Sequence, residues 1–293
     1  MNTQNIEYNI TGHTVLTGLL GSPVSHSVSP AMHNLAFRML GLDYVYLCFD
    51  VGTDHLKEVT DAMKLMGVRG FNCTMPDKNL MCELCDELSP AAQLIGAVNT
   101  VLVEDGRLIG HNTDGIGYMQ AVKDAGFDII GKSMTLLGAG GAATSIAVQA
   151  ALDGVKSINI FSIRDQFFGR AERLAESLTA TTGCRVMLYD MADQEALKKS
   201  IAESEILTNA TSVGMAPNTD RCLIPEASWL RKDLIVSDVI YNPRETKLLS
   251  LAKSAGCRTC NGMYMLLYQG AAAFKIWTGR DMPTEAVKEK YFV

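Results

Sequence analysis

Short apolar runs recur along this chain, each broken by a glycine, proline or hydroxyl-rich turn and followed by a stretch with helical spacing. Residues 15–20 read as a buried strand, 31–40 as a helix, 44–51 as an alternating strand and 54–66 as the helix behind it. A third strand begins at 70 and is ended by Pro76; 80–88 follow as a helix and 97–103 as another strand. Glu104-Asp105-Gly106-Arg107 is a hairpin turn from which 108–110 pair back. This alternation predicts an open α/β sheet in the first third of the chain. It then resumes with a helix at 118–125, strands at 157–161, 185–189, 206–210, 234–241 and 257–259, and helices at 168–179, 193–200 and 246–255. A long apolar helix at 264–277 precedes a polar tail.

The most informative unit lies mid-chain. Met134-Thr135-Leu136-Leu137 reads as a buried strand, breaks into Gly138-Ala139-Gly140-Gly141-Ala142-Ala143, and passes into a small-residue helix over 144–150. Strand, glycine turn and helix form the first unit of a dinucleotide-binding fold. Gly138 permits the tight turn, Gly140 has no Cβ to block a pyrophosphate, and the helix N-terminus offers unpaired N–H groups. Ala143 stands where helix–strand packing needs only a small side chain. A glycine turn alone also occurs wherever φ > 0 is needed, so the flanking strand and helix carry the assignment.

At 293 residues the chain exceeds the usual single core of about 250, so two domains are expected. A net charge of −6 argues against nucleic acid or an anionic membrane surface as partner. The start, MNTQNIEYNI, has no basic region leading into an apolar run, and no apolar stretch reaches the ~20 residues that span a bilayer. No signal peptide or membrane span is read, and a cytoplasmic protein is the expectation. Cys82-x-x-Cys85 and Cys257-x-x-Cys260 have metal-like spacing, yet they lie far apart, and the first spacing places both thiols on one helical face. Buried reduced thiols are expected, with no metal and no disulfide.

Three loops carry candidate chemistry. Residues 21–30 are dense in hydroxyls; Ser29-Pro30 reads as a helix cap, and equally as a ligand loop at the carboxyl end of a strand. Lys78 falls just past a strand end, where a solvated charge is the plain alternative. Asp114 opens the 118–125 helix, as N-cap or as a functional carboxylate, and this segment is the natural hinge between domains.

Taken together, HSVSPAMHN (26–34), TMPDK (74–78), GAVNT (96–100), HNTDGIG (111–117), LGAGGAA (137–143), NATSVGM (209–215), YNP (241–243) and GMYMLLYQGAAAF (262–274) resemble the shikimate dehydrogenase family over essentially the whole chain. Residues 75–78, 164–168 and 266–270 are similar to its bifunctional quinate/shikimate branch. The resemblance implies reversible NAD(P)-dependent oxidation of shikimate to 3-dehydroshikimate, and through the bifunctional branch of quinate to 3-dehydroquinate; the alternative is a shikimate-only, NADP-dependent biosynthetic dehydrogenase. It implies an open α/β substrate-binding catalytic domain (1–113 with 262–293) and a doubly wound Rossmann-type nucleotide domain (114–261). Ser27 and Ser29 match serines that bind the substrate carboxylate. Thr74, Asn99 and Gln269 match contacts to the ring hydroxyls, and Lys78 and Asp114 match the catalytic pair. On the nucleotide side it implies Gly138, Ala139, Gly140, Gly141 and Ala142, then Ser162, Arg164 and Asp165 at the ribose, and Ser212, Val239, Tyr241 and Gly262. Oligomeric state is not legible; a homodimer is compatible with the sequence.

The chemistry agrees with these residue types. Oxidising a secondary alcohol requires removal of the hydroxyl proton, so a general base must lie within hydrogen-bond reach. Burial would lower the pKa of Lys78 and Asp114 would raise it, so Lys78 reads as the base or as a cation stabilising the alkoxide. The ribose segment departs from the family. Many NADP-dependent members carry Asn-Arg-Thr where this chain has Ser162-Ile163-Arg164. Asp165 suits the free 2′-hydroxyl of NAD and would repel a phosphate, whereas Arg164 would pair with that phosphate if it swings inward. NAD is therefore expected to be preferred, with room for measurable NADP use. Rival readings are a methyltransferase using S-adenosylmethionine, which leaves Lys78, Asp114 and the serine loop without roles, and a silent nucleotide-binding regulator, which would be expected to lose Lys78 or Asp114.

Overall fold

The computed structural model describes residues 10–292; the polar start at 1–9, read above for a signal peptide, lies outside them. The described residues divide into two compact units, 10–113 with 270–292 and 114–269.

The first unit contains β1 (Val15–Gly21), α1 (Ser29–Met39), β2 (Tyr44–Asp50), α2 (Leu56–Leu65), β3 (Gly70–Cys73), α3 (Lys78–Leu84), β4 (Glu87–Leu88), α4 (Pro90–Ile95), β5 (Thr100–Glu104) and β6 (Arg107–His111). Its sheet runs β2-β1-β3-β5-β6-β4. β1 pairs in parallel with β2 and β3, while β5 runs antiparallel to both β3 and β6. The carboxyl ends of β1, β3 and β6 and the amino end of β5 therefore share one edge. Asp105 and Gly106, at φ 49 and φ 72, form the two-residue turn between β5 and β6. Leu20, Leu56, Phe71, Met81, Val98 and Val101 pack into the core beneath.

Local chemistry moves several boundaries away from those periodicity predicts. The helix expected at 80–88 starts at Lys78 and stops at Leu84, because Cys85 takes an extended backbone. Cys82 and Cys85 consequently do not share a helical face. Glu87 and Leu88 pair with β6 instead. α4, which the hydrophobic pattern does not announce, is opened by Ser89, whose hydroxyl accepts from the Ala92 N–H at 3.3 Å, with Pro90 in its first turn. Ser29 is not the cap of α1 but its first residue, and the Ser27 hydroxyl accepts from the Ser29 N–H at 3.2 Å.

The second unit contains α5 (Asp114–Asp124), β7 (Ser133–Leu137), α6 (Gly141–Asp153), β8 (Ser157–Ser162), α7 (Phe168–Thr181), β9 (Arg185–Asp190), α8 (Gln194–Glu203), β10 (Ile206–Asn209), β11 (Ile235–Asp238), α9 (Lys247–Ser254) and β12 (Arg258–Cys260). All neighbours in its sheet, β12-β11-β10-β7-β8-β9, are parallel. This is the doubly wound nucleotide-binding order, with the topological switch point between β7 and β10. The strand expected at 234–241 ends at Asp238, whose carboxylate accepts from the Ile240 N–H at 3.0 Å and turns the chain out of the ladder.

The unit boundary near the C-terminus falls inside α10 (Met263–Thr278), after Gln269, rather than at 262. The first turns of α10 pack on α5 in the second unit: a Cβ at Gly117 would lie 2.6 Å from Met265 O and Gln269 N, so the two backbones touch. The later turns belong to the first unit, where buried Trp277 donates its indole N–H to Val101 O at 2.9 Å. The expected polar tail is a helix, α11 (Thr284–Tyr291), which buries Val287 and packs on α1. Its single buried apolar position gives too little periodicity to be read in sequence.

All eight cysteines carry free thiols. Among the described residues no group of three or more His, Cys, Asp or Glu could hold a metal ion, and no helix is long and apolar enough to cross a membrane.

Candidate active site and nucleotide turn

The strand order of the first unit gathers five predicted residues at one sheet edge. Ser27 and Ser29 follow β1, Thr74 and Lys78 follow β3, and Asn99 immediately precedes β5. Backbone bonds tie these segments together: the Ser22 N–H reaches Met75 O (3.3 Å), the Thr74 N–H reaches Leu20 O (2.9 Å) and the Val98 N–H reaches Lys78 O (2.9 Å). Ligands of open α/β sheets bind outside such carboxyl ends.

Beneath this ledge runs a buried polar network. Tyr46, fully buried, donates its hydroxyl to Asn72 Oδ1 at 2.8 Å. Asn72 Nδ2 donates to Thr100 Oγ1 (2.9 Å) and to Asn99 O (3.1 Å). Thr100 Oγ1 (2.9 Å), the Thr113 N–H (2.8 Å) and Thr113 Oγ1 (3.1 Å) all donate to Asn99 Oδ1. Three donors on that oxygen fix the amide's flip and turn Nδ2 the other way. Tyr46 and Asn72 escape sequence reading, although a polar residue inside a buried strand is the signal that marks them.

Two buried titratable groups flank the network. His33 stacks on Tyr46 with ring centroids 4.5 Å apart, neither ring nitrogen has a partner, and burial holds its pKa down at about 3. Asp77, next to Lys78, is fully buried; Oδ1 accepts from the Thr53 hydroxyl at 3.2 Å, Oδ2 has no partner, and burial pushes its pKa up.

In the second unit, Asp114 opens α5 directly after Thr113, and the Gln269 side chain donates to Leu266 O at 3.0 Å within α10. At the glycine turn, Gly138 has φ +105, and a Cβ there would lie 2.9 Å from the Thr211 methyl. Gly140 caps α6 and Gly141 begins it; a Cβ on either meets nothing within 4 Å. Between Ala139 and Ala142 the helix N-terminus thus presents bare backbone N–H groups, a cradle that fits a pyrophosphate.

The end of β8 supplies the ribose segment. Arg164 donates Nε to Asp190 Oδ2 at 2.7 Å, and its guanidinium lies 4.7 Å over the Phe168 ring. Asp165 Oδ1 accepts from the Phe167 N–H at 2.9 Å, at the start of α7. Asp190, missed in sequence, ends β9 directly across from Ser162. Its carboxyl is held low, chiefly by the Ala192 N–H and then by Arg164.

Ser212, Val239 and Tyr241 lie on loops after β10 and β11. Asn209 Nδ2 donates to Asp238 Oδ1 (3.1 Å), Thr246 donates to Asp238 Oδ2 (2.6 Å), and the Thr211 hydroxyl donates to Asn209 Oδ1 (2.7 Å). Asp238 is buried and its pKa is pushed up by that burial. A Cβ on Gly262 would lie 1.8 Å from Val239 O, so these two backbones are in contact.

Comparison with known proteins gives the family. Residues 19–101 match the family model of the shikimate dehydrogenase substrate binding domain, and residues 262–290 that of the shikimate 5'-dehydrogenase C-terminal domain. A shikimate dehydrogenase (NADP(+)) of Listeria innocua is 55% identical over 290 residues, covering 99% of this chain and 100% of that one. A quinate/shikimate dehydrogenase of Escherichia coli is 46% identical over 96% of this chain and 98% of its own. Among solved structures, shikimate 5-dehydrogenase from Listeria monocytogenes, in complex with shikimate and NAD, superposes with a TM-score of 0.93 at 55% identity, covering 96% of this chain and 97% of that one. With relatives alike over nearly its whole length, this chain belongs to the shikimate dehydrogenase family of NAD(P)-dependent oxidoreductases.

Proposed function

We propose that the chain oxidises shikimate reversibly to 3-dehydroshikimate with a nicotinamide dinucleotide, and accepts quinate as a second substrate. One observation carries this reading: two serine hydroxyls, Thr74, the flip-fixed amide of Asn99 and Lys78 share a single sheet edge. That set supplies donors for a carboxylate and for vicinal hydroxyls, together with an amine for the reacting group. Ser27 and Ser29 hold the substrate carboxylate, and Asn99, Thr74 and Gln269 orient the ring hydroxyls. Lys78 and Asp114 move the proton of the hydroxyl being oxidised.

The bare turn at 138–142 holds the pyrophosphate, Ser162, Arg164 and Asp165 meet the ribose side, and Ser212, Val239, Tyr241 and Gly262 frame the nicotinamide end. The nicotinamide, when bound, accepts the hydride. The NAD preference expected from Ile163 and Asp165 is not carried forward unchanged. The Listeria innocua relative is named for NADP(+), whereas the Listeria monocytogenes structure holds NAD. We therefore propose use of both nucleotides, with NADP favoured by the relatives' names.

The test is nicotinamide absorbance with shikimate and with quinate, each with NAD and with NADP. Turnover of shikimate is expected. No absorbance change in any combination overturns the reading.

A further inference from the structure

We infer that Asp190 is a cofactor-selectivity residue: by clamping Arg164 it withholds that guanidinium from the 2′-phosphate of NADP. The inference rests on the proposed function in taking the end of β8 as the ribose side of the nucleotide site. Ile163 carries no charge there, so Arg164 is the cation this segment offers. Its Nε is bonded to Asp190 at 2.7 Å and its guanidinium lies over Phe168 at 4.7 Å. Asp190 is well placed for this role. It stands opposite Ser162 in the β8–β9 register, and its second oxygen accepts from the Ala192 N–H at 2.9 Å, which orients the carboxylate.

The arrangement makes the contact to a phosphate conditional. A phosphate at the 2′ position must draw Arg164 away from a carboxylate already paired with it, whereas a 2′-hydroxyl makes no such demand. Arg164 is more than half exposed, so the clamp is weak and competition is open rather than closed. One relative is named for NADP(+) and another was crystallised with NAD.

The test is a double-mutant cycle on the full-length enzyme at fixed ionic strength: wild type, Asp190→Asn, Arg164→Gln and the double variant. Asparagine keeps an acceptor for the Ala192 N–H and removes the charge. The readout is the ratio of kcat/KM for NADP to that for NAD, with shikimate saturating. Asp190→Asn is expected to raise the ratio about three- to tenfold, and the double variant to return to the ratio of Arg164→Gln. An unchanged ratio in Asp190→Asn overturns the inference. So does an equal rise in the Arg164→Gln background, which would mean that Asp190 acts by its own charge alone. Calorimetric titration of NADP+ and NAD+ into the same four proteins reads the clamp without turnover. If shikimate is not oxidised by any of them, the proposed function fails while the binding ratios still decide the clamp.

Discussion

The ledge of the first unit, proposed here to hold the substrate, is backed by side chains bonded to one another, whereas the glycine turn of the second, proposed to hold the pyrophosphate, is backbone from which side chains are missing. Asn99 receives three hydrogen bonds on one oxygen, whereas Gly140 and Gly141 have nothing within 4 Å of where a Cβ would sit. A polyhydroxylated ring demands donors and acceptors of set direction, which buried neighbours supply. A pyrophosphate demands close approach to N–H groups, which any side chain would obstruct. Damage at the ledge should therefore come from removing atoms, and damage at the turn from adding them.

The sharpest break on the ledge is Lys78→Met, which keeps length and removes the amine. We expect kcat to fall ~10²–10⁴-fold with nucleotide affinity little changed. Steady-state kinetics beside direct nucleotide titration check this; near-normal kcat would remove Lys78 from the chemistry. Asp114→Asn should also be impaired, and the double variant should lose less than the product of the single losses.

Tyr46→Phe tests whether the buried network orients the ledge. It strips Asn72 Oδ1 of its donor, and we expect urea denaturation to show a loss of about 1–3 kcal/mol together with a higher KM for shikimate. Full stability with an unchanged KM would show the network to be idle.

Burial also couples to pH, with opposite signs for a buried histidine and a buried carboxylate. Below pH 6.5 the unfolded chain binds a proton on His33 that the folded ring, held at about 3, refuses. Stability present above pH 6.5 should thus fall by about 1.4 kcal/mol per pH unit, or about 2 kcal/mol by pH 5. Asp238 in the second unit, like Asp77 in the first, has the opposite sign. Its raised pKa opposes folding above the ordinary carboxylate range, and that opposition is relieved as pH falls. Denaturation at pH 7 and pH 5 of wild type and His33→Phe isolates the histidine: the pH 5 loss should shrink by about 2 kcal/mol in the variant, and equal losses would absolve His33.

Gly140→Ala gives the smallest effect on the fold and the cleanest contrast. Its φ of −74 is open to alanine and its Cβ meets open space, so stability should stay within about 0.5 kcal/mol of wild type. Nucleotide binding should nevertheless weaken, as calorimetric titration would show. Unaltered affinity would mean that no phosphate approaches there.

Much of this molecule was legible from the chain alone. The strand–turn–helix at 134–150 could be read because apolar run, glycines and small-residue helix are local signals, and the Asp105-Gly106 hairpin because its turn geometry demands those residues. α4 was legible in principle through Ser89-Pro90, but six residues carry little periodicity. α11 was obscured because one buried valine among charged neighbours resembles a tail. Of the proposed site, Ser27, Ser29, Thr74, Lys78 and Asn99 were named from motifs, and strand order puts them on one edge.

By itself the sequence determined most of the alternating strands and helices, the glycine turn and the family, since these depend on residues close in the chain or on motifs held in order. Tertiary structure alone decided that Tyr46, Asn72 and Thr100 lie beneath Asn99, that Asp77 is buried against Thr53, and that Arg164 is bonded to Asp190. The physical reason is separation: these partners lie up to 28 residues apart, and hydrogen bonds act over 3 Å of space without regard to the length of chain between them.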